Sequence, residues 1–322
     1  MRLSEKQLIA DIRRKVGRRR GQPPITVGIG DDTAVLRPPR GHELLITTDF
    51  SLEGVHFRRD WQPAESAGYR CLARGLSDIA AMGGEPFAAL LSLALPLDLP
   101  QRWVDGFIRG LLRLARKHNV TLAGGDVSSV TSGMTGVLAD IVVVGLIPRG
   151  QAVLRSGAAS GQRIFVTGEL GGAAAGLRIL YAEGKARPKR VARHFLPEPR
   201  LRIGRYLRQR GLATAMIDVS DGLSTDLRHL CDESGVGAVI REECIPVATG
   251  STVSLALNGG DDYELLFTAP AGARVPARVG GIAITEIGIT TRDGKLWLRR
   301  GEQKPVRLVA QGWEHFAGTK FF

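Results

Sequence analysis

Residues 213–233 read ATAMIDVSDGLSTDLRHLCDE. The stretch 213–217 suits a short strand, Asp218-Val219-Ser220-Asp221-Gly222 suits a turn, and a helix follows to about 233. Strand, acid-bearing turn and helix are the pieces of a mixed fold. Working toward the C-terminus, strand-length segments dominate at 263–268, 281–285 and 295–298. Toward the N-terminus come a helix at 201–210, a basic Pro-containing loop at 184–193, a helix at 173–183 and a strand at 163–167. Pro148-Arg149-Gly150 reads as a junction. Before it lie strands at 44–46, 88–95 and 137–146. Ser4 can cap a helix over 4–15 that carries Leu8, Ile9 and Ile12 on one side. A second helix, 65–82, is closed by Gly83-Gly84 and Pro86. The helix 101–118 has Val104, Phe107, Ile108, Leu111, Leu112 and Ala115 at three-four spacing. Strands and helices alternate without strict βαβ repetition. The expected class is α/β (α+β), in two domains, 1–150 and 151–322.

The chain has 322 residues, with 44 Lys plus Arg against 32 Asp plus Glu, so the net charge is 44 − 32 = +12. That balance points to an anionic partner: nucleic acid, a membrane surface or a phosphorylated ligand. Arg13 to Arg20 is the strongest nucleic-acid-like run, but no zinc-finger, homeodomain or RNA-binding pattern accompanies it. Arg102, Arg109, Arg113, Arg116 and Lys117 lie on a helix face and need no ligand. Neither nucleic acid nor membrane is therefore an expected partner. The longest apolar stretch, 88–97, falls short of the roughly 20 residues of a spanning helix. The N-terminus is charged and lacks an apolar signal core. Cys71, Cys231 and Cys244 are scattered, without metal or disulfide spacing, which suits a reducing, cytoplasmic setting. The 41 glycines show no fibrous period, so they belong to turns and close backbone approaches.

In so basic a chain the acids are oddly placed. They sit in what read as Gly-flanked loops: Gly28-Ile29-Gly30-Asp31-Asp32, Thr47-Thr48-Asp49, Gly124-Gly125-Asp126, Asp218 to Gly222 and Gly259-Gly260-Asp261-Asp262. Asp78 lies in an otherwise apolar helix beside Leu76, Ile79 and Ala80. Three readings compete. Asp-Gly pairs form turns. Asp and Ser cap helices, as Asp221 or Ser220 could. The third reading is Mg²⁺, a hard cation that takes carboxylate oxygens at about 2.0–2.1 Å and bridges to substrate phosphates. Asp218 and Ser220, two apart, share one side of an extended segment. Asp221 begins a helix, whose N–H groups favour phosphate. The familiar phosphate motifs are absent: 171–176 has GxxxxG spacing, but Leu177-Arg178 stand where a P-loop needs Lys and Ser/Thr. Gly28-Ile29-Gly30 lacks the third glycine of a dinucleotide fingerprint. The glycines at 171, 172 and 176 are expected to allow close helix–strand packing. No GxSxG or HExxH is present.

Taken in order, GIGDD (28–32), TTDFSLEGVHF (47–57), LSDIAAMGGEP (76–86), GGD (124–126), LRSGA (154–158), IDVSDGLSTDL (217–227) and GGDDYELLF (259–267) resemble the thiamine-monophosphate kinase family. That family belongs to the aminoimidazole ribonucleotide synthetase-like superfamily, and the resemblance runs from about residue 3 to 316. It implies an N-terminal ATP/Mg-binding and dimerisation domain and a C-terminal domain completing the nucleotide and substrate site. The implied reaction moves the γ-phosphoryl of ATP, as co-substrate, onto thiamine monophosphate with several Mg²⁺ ions. The implied metal ligands are Asp31, Thr47, Thr48, Asp49, Asp78, Asp126, Asp218 and Asp221. Gly125, Asp126, Arg155 and Ser220 are implied nucleotide-phosphate contacts. His56, Asp261 and Trp313 are implied substrate contacts, Trp313 facing the thiamine ring. The resemblance also implies a homodimer. Asp261 stands where the family usually has Glu, a carboxylate one methylene shorter. No dedicated base is expected, because the nucleophile is the substrate's own ionised phosphate. Related selenophosphate synthetases and hydrogenase maturation dehydratases carry a Cys in an N-terminal glycine loop or at the C-terminus. Here Cys71 lies mid-helix and 318–322 reads GTKFF.

Overall fold

The computed structural model describes residues 5–17, 24–29, 32–130, 136–184 and 188–314. The chain divides into two compact units, Met1–Ile79 with Gly84–Gln151, and Ala80–Gly83 with Ala152–Phe322.

The first unit contains α1 (Glu5–Val16), β1 (Ile25–Val27), β2 (Val35–Leu36), β3 (His42–Leu52), α2 (Ala64–Ala81), β4 (Glu85–Leu95), α3 (Gln101–Lys117), β5 (Thr121–Ser129) and β6 (Leu138–Pro148). Its sheet has the order β3-β6-β4-β5, with only the β4–β5 pair parallel. The apolar stripe of α3 is buried, as its spacing predicts. α2 crosses α3 where side chains are missing: a Cβ on Gly68 would lie 1.9 Å from the Phe107 carbonyl oxygen, and one on Gly110 1.9 Å from that of Glu65. The basic run begins on α1, where Lys15 pairs with Asp11 at 2.5 Å and Asp105 at 3.0 Å. Arg18 to Arg20 lie outside the described residues.

Two sequence expectations change here. Thr47-Thr48-Asp49 belongs to the eleven-residue β3, which pairs with β6 from His42↔Pro148 to Leu52↔Leu138. Gly124-Gly125-Asp126 belongs to β5. Neither segment is a loop. Cross-strand pairing overrides the local turn preference of Gly and Asp.

The second unit contains β7 (Arg163–Thr167), α4 (Gly172–Glu183), α5 (Ala192–Phe195), α6 (Leu201–Gln209), β8 (Ala215–Val219), α7 (Leu223–Ser234), β9 (Gly237–Arg241), α8 (Val253–Asn258), β10 (Glu264–Ala269), β11 (Arg278–Val279), β12 (Ile282–Thr291), β13 (Leu296–Arg299) and β14 (Val306–Arg307). The main order is β14-β13-β9-β12-β7-β10-β8, with β11 beside β12 and only β13–β9 parallel. Leu223, Leu227, Leu230 and Cys231 of α7 join Ile217, Val219 and Leu266 in the core. The segment expected as a loop at 184–193 instead holds a 3-10 turn, Pro188–Val191, and the start of α5. Val191 and Phe195 are buried there, so tertiary packing supplies what local propensity does not. The glycines at 171, 172 and 176 face Ser251 and Ala256, Arg193, and His194 rather than a strand. β9 and α8 carry no strong sequence signal and were not expected.

Candidate functional site

In the first unit, the site grows from one strand and one helix. β3 alternates, so Thr47, Asp49 and Ser51 share one face while Thr48 and Phe50 take the other. Gly75 lets α2 approach the sheet: a Cβ there would lie 2.6 Å from Val143 Cγ2. One turn further along α2, Asp78 meets the Thr47 hydroxyl, which donates to its Oδ2. Arg74 and Asp78, four apart, share a helix face, and Arg74 Nη2 lies 3.5 Å from Asp49 Oδ1. Burial pushes the Asp49 carboxyl up to about 6, and Asp78 and Asp140 add to the rise against the opposing charge of Arg74. Thr47, Asp49 and Asp78 therefore come together. Thr48 does not join them through its side chain, because its hydroxyl donates across to Asp140 Oδ1 at 2.7 Å. Asp126 is exposed on β5, in register with Ser92 of β4. Gly125 before it has φ 145°, and a Cβ would lie 1.8 Å from the Leu91 carbonyl oxygen. That position admits only glycine, on strand pairing alone. Asp31 lies outside the described residues.

His56 follows β3 in a turn. Its backbone N–H donates to the Leu52 carbonyl oxygen at 2.8 Å, and the Leu52 N–H donates to His56 Nδ1 at 3.0 Å. Nδ1 is thus an acceptor, which puts the ring proton of the neutral imidazole on Nε2.

In the second unit, Asp218 is buried on β8, on the face opposite the core residues Ile217 and Val219. The following turn carries Ser220 and Asp221 into α7. Gly222 at its apex has φ 111°. Asp226 Oδ2 accepts the N–H groups of Asp221 and Gly222, each at 3.1 Å. Asp226 is almost fully buried. Burial, then the charges of Asp218 and Asp221, push its carboxyl well above the usual range. Oxygens of Asp221 and Asp226 and a ring nitrogen of His229 lie within 4.8 Å of one another. Arg155 is exposed in a loop that runs beside β8, where the Met216 N–H donates to the Leu154 carbonyl oxygen at 2.9 Å.

The GGDDYE loop is bound to this turn. Asp261 N–H donates to the Ser220 carbonyl oxygen at 2.7 Å, and Tyr263 N–H to that of Val219 at 2.8 Å. Asp261 and Tyr263 both hold positive φ, 61° and 51°, a strained arrangement for residues with a Cβ. The double kink separates the two acids. Asp261 Oδ1 accepts the Tyr263 hydroxyl at 2.8 Å. Asp262 turns inward and accepts the N–H groups of Gly171 at 2.6 Å and Ala173 at 3.3 Å, serving α4 as a distant cap. Burial pushes Asp262 up to about 7, while those two N–H groups oppose the rise. Trp313 is half-buried, and its N–H donates to the Asp221 carbonyl oxygen at 3.0 Å.

In the first unit, the Thr47 hydroxyl with the Asp49 and Asp78 carboxylates is a donor set that fits a hard divalent cation, and in the second the Asp218, Asp221 and Asp226 carboxylates are another. Burial leaves Asp49 and Asp226 at raised pKa.

The chain matches known proteins along most of its length. The model described as AIR synthase related protein, N-terminal domain, matches residues 30–147, and its C-terminal counterpart matches 159–296. The thiamine-monophosphate kinase of Escherichia coli K12 is 39% identical over 312 residues, spanning 91% of this chain and 93% of its own. The chain belongs to the thiamine-monophosphate kinase family. Within that family, the crystal structure from Stenotrophomonas maltophilia K279a is 34% identical, with a TM-score of 0.79, covering 90% of this chain and 95% of its own. The structure described as AaThiL complexed with AMPPCP and TMP is 32% identical, with a TM-score of 0.75, covering 98% and 99%.

Several residues of this family member escaped the sequence reading. Asp140 had one signal, a lone carboxylate in the run LADIVVV. Arg74 had its spacing of four from Asp78, and Asp226 its place five residues after Asp221. Asp262 was seen only as the neighbour of Asp261, and nothing local marks it as a cap for a helix 91 residues away.

Proposed function

We propose that this chain is an ATP-dependent thiamine-monophosphate kinase, transferring the γ-phosphoryl of ATP to the phosphate of thiamine monophosphate to yield thiamine diphosphate and ADP. The observation that carries the reading is the meeting of Asp49 and Asp78 beside Thr47, with burial holding Asp49 at about 6, in a chain of net charge +12. Negative charge gathered against that background serves a cation, and the family reaction joins two phosphorylated anions.

Thr47, Asp49 and Asp78 of the first unit, with Asp126, and Asp218 and Asp221 of the second would hold Mg²⁺. Bound Mg²⁺ would screen the phosphates from one another and neutralise charge developing on the transferred group. The chain's own groups orient and exclude. Asp226 holds the N–H groups of the Asp221 turn. The guanidinium of Arg155 offers a planar fork for a nucleotide phosphate. Gly125 and Ser220 would contact the nucleotide phosphates. His56, Asp261 and Trp313 face the thiamine portion, Trp313 offering its ring to the cationic thiazolium. No protein base is required, because the attacking phosphate oxygen is ionised at neutral pH. Asp31 would join the metal set, whereas the Thr48 side chain is turned to Asp140 on the other face of β3.

The chain works as a homodimer through its first unit, whose edge strand β3 exposes Leu44, Ile46 and Phe50. A cytoplasmic location accords with three free cysteines. Among the described residues no helix is long and apolar enough to cross a membrane.

The test is product detection with Mg²⁺-ATP and thiamine monophosphate, an aminoimidazole precursor or selenide offered separately. Thiamine diphosphate and equimolar ADP are expected from the first alone. Their absence would overturn the reading.

A further inference from the structure

We propose that Thr225 and Ser224, in the first turn of α7, are positioning residues that hold Trp313 for the thiamine ring and so govern the KM for thiamine monophosphate. The proposal rests on the substrate reading of Trp313 given above.

The N-cap of α7 is Gly222, which has no side chain to cap with. Ser224 and Thr225, just inside the helix, turn their hydroxyls to another segment. Ser224 Oγ accepts the N–H of Gln311 at 3.3 Å and donates to Asn258 Oδ1 at 2.6 Å. Thr225 Oγ1 accepts the N–H of Gly312 at 3.0 Å. The N–H of Trp313 then reaches the Asp221 carbonyl oxygen at 3.0 Å. Three consecutive backbone donors thus end on one short stretch, 221–225. The helix's own entry is served instead by Asp226, which takes the N–H groups of Asp221 and Gly222.

The fit leaves no slack. A Cβ on Gly312 would lie 2.0 Å from the Asp221 carbonyl oxygen and 2.6 Å from Thr225 Oγ1. Upstream, the segment is next tied at Leu308, whose N–H donates to the Leu296 carbonyl oxygen at 2.9 Å, and Val309 between them is exposed. The 221–225 clamp therefore fixes the Trp313 Cα, from which the indole projects. A side chain held this way sets affinity for the ring it faces without touching the phosphates.

Thr225→Val keeps the shape and removes the acceptor. Gly312→Ala keeps every hydrogen-bonding group and displaces the segment by contact. Both are expected to raise the KM for thiamine monophosphate about three- to tenfold, with the KM for ATP and the thermal midpoint near wild type. Thr225→Ser, which restores the hydroxyl, should return the wild-type value. The change in indole emission on adding thiamine monophosphate without ATP should shift to the same higher concentration. If Trp313→Phe raises that KM while Thr225→Val and Gly312→Ala leave it unchanged, the clamp is overturned and the kinase reading stands. A parallel rise in both KM values, unrepaired by Thr225→Ser, would also overturn it. A wild-type protein that makes no thiamine diphosphate would instead bring down the underlying reading.

Discussion

The backbone N–H of Trp313 donates to the carbonyl oxygen of Asp221 at 3.0 Å. One bond thus joins the closing segment of the chain to the acidic turn that opens α7. The aromatic assigned to the thiamine ring and a carboxylate assigned to Mg²⁺ are set by the same piece of backbone. Removing the indole should weaken one substrate selectively. Trp313→Ala is expected to raise the KM for thiamine monophosphate about tenfold or more, from lost stacking on a cationic ring, with the KM for ATP little changed. Steady-state rates with each substrate varied in turn measure this, and equal effects on both would remove Trp313 from the ring site.

Asp49 makes stability depend on pH in a definite direction. Its carboxyl sits at about 6 in the fold against an ordinary 3.8, so the folded state holds a proton that the unfolded chain releases. The stabilisation is present at acid pH and is lost as pH rises through about 6, with a span of about 3 kcal/mol. Asp49→Asn is neutral throughout. With chelator present, its thermal midpoint at pH 8 should exceed that of wild type, while its turnover is lost. Asp262, pushed up to about 7, leaves part of the pH slope in the variant. A variant slope identical to wild type would assign the dependence to other groups.

Asp78→Asn and Asp218→Asn keep size and remove one negative charge from each acidic set. Both should lose at least about a hundredfold in kcat, the scale of losing one pre-placed electrostatic group, and keep the wild-type circular dichroism. Activity within twofold of wild type would exclude either residue from the metal set.

Arg200 and Glu264 form a largely buried ion pair in the second unit. Arg200 Nε donates to Glu264 Oε2 at 2.6 Å, Nη2 donates to Oε1, and the Thr167 hydroxyl donates to Oε2 at 2.6 Å. Glu264 is 2% exposed. Arg200→Met strands that carboxylate and should cost about 3–5 kcal/mol in denaturant unfolding. A loss below 1 kcal/mol would mean that the fold relaxes to admit water at Glu264.

Much of the local structure was legible. The apolar spacing of 101–118 placed α3 within a residue, and the strand and helix of 213–233 appear as β8 and α7, although β8 runs on through Asp218 and Val219 and leaves only 220–222 as the turn. These features repeat with a helix or strand period and need no partner to be recognised. Thr47-Thr48-Asp49 misled because acids and threonines beside one another look like a turn until a second strand lies alongside. The 184–193 segment misled for the opposite reason: its helical turns exist because Val191 and Phe195 find buried places.

The site divides along the same line. By itself the sequence determined which residue types were available: aspartates beside glycines, a helical Asp78, a late tryptophan, and an order of motifs that belongs to one family. Only the tertiary structure decided their assignments. The pleat of β3 sent Thr47 and Asp49 toward Asp78 and Thr48 toward Asp140. Two left-handed residues split Asp261 from Asp262, one held by a tyrosine hydroxyl and the other by a helix N-terminus. The hydroxyls of Ser224 and Thr225 passed over their own helix for a segment 87 residues away. A residue's chemistry is local, but its partner is set by strand register and loop approach, which depend on contacts far along the chain.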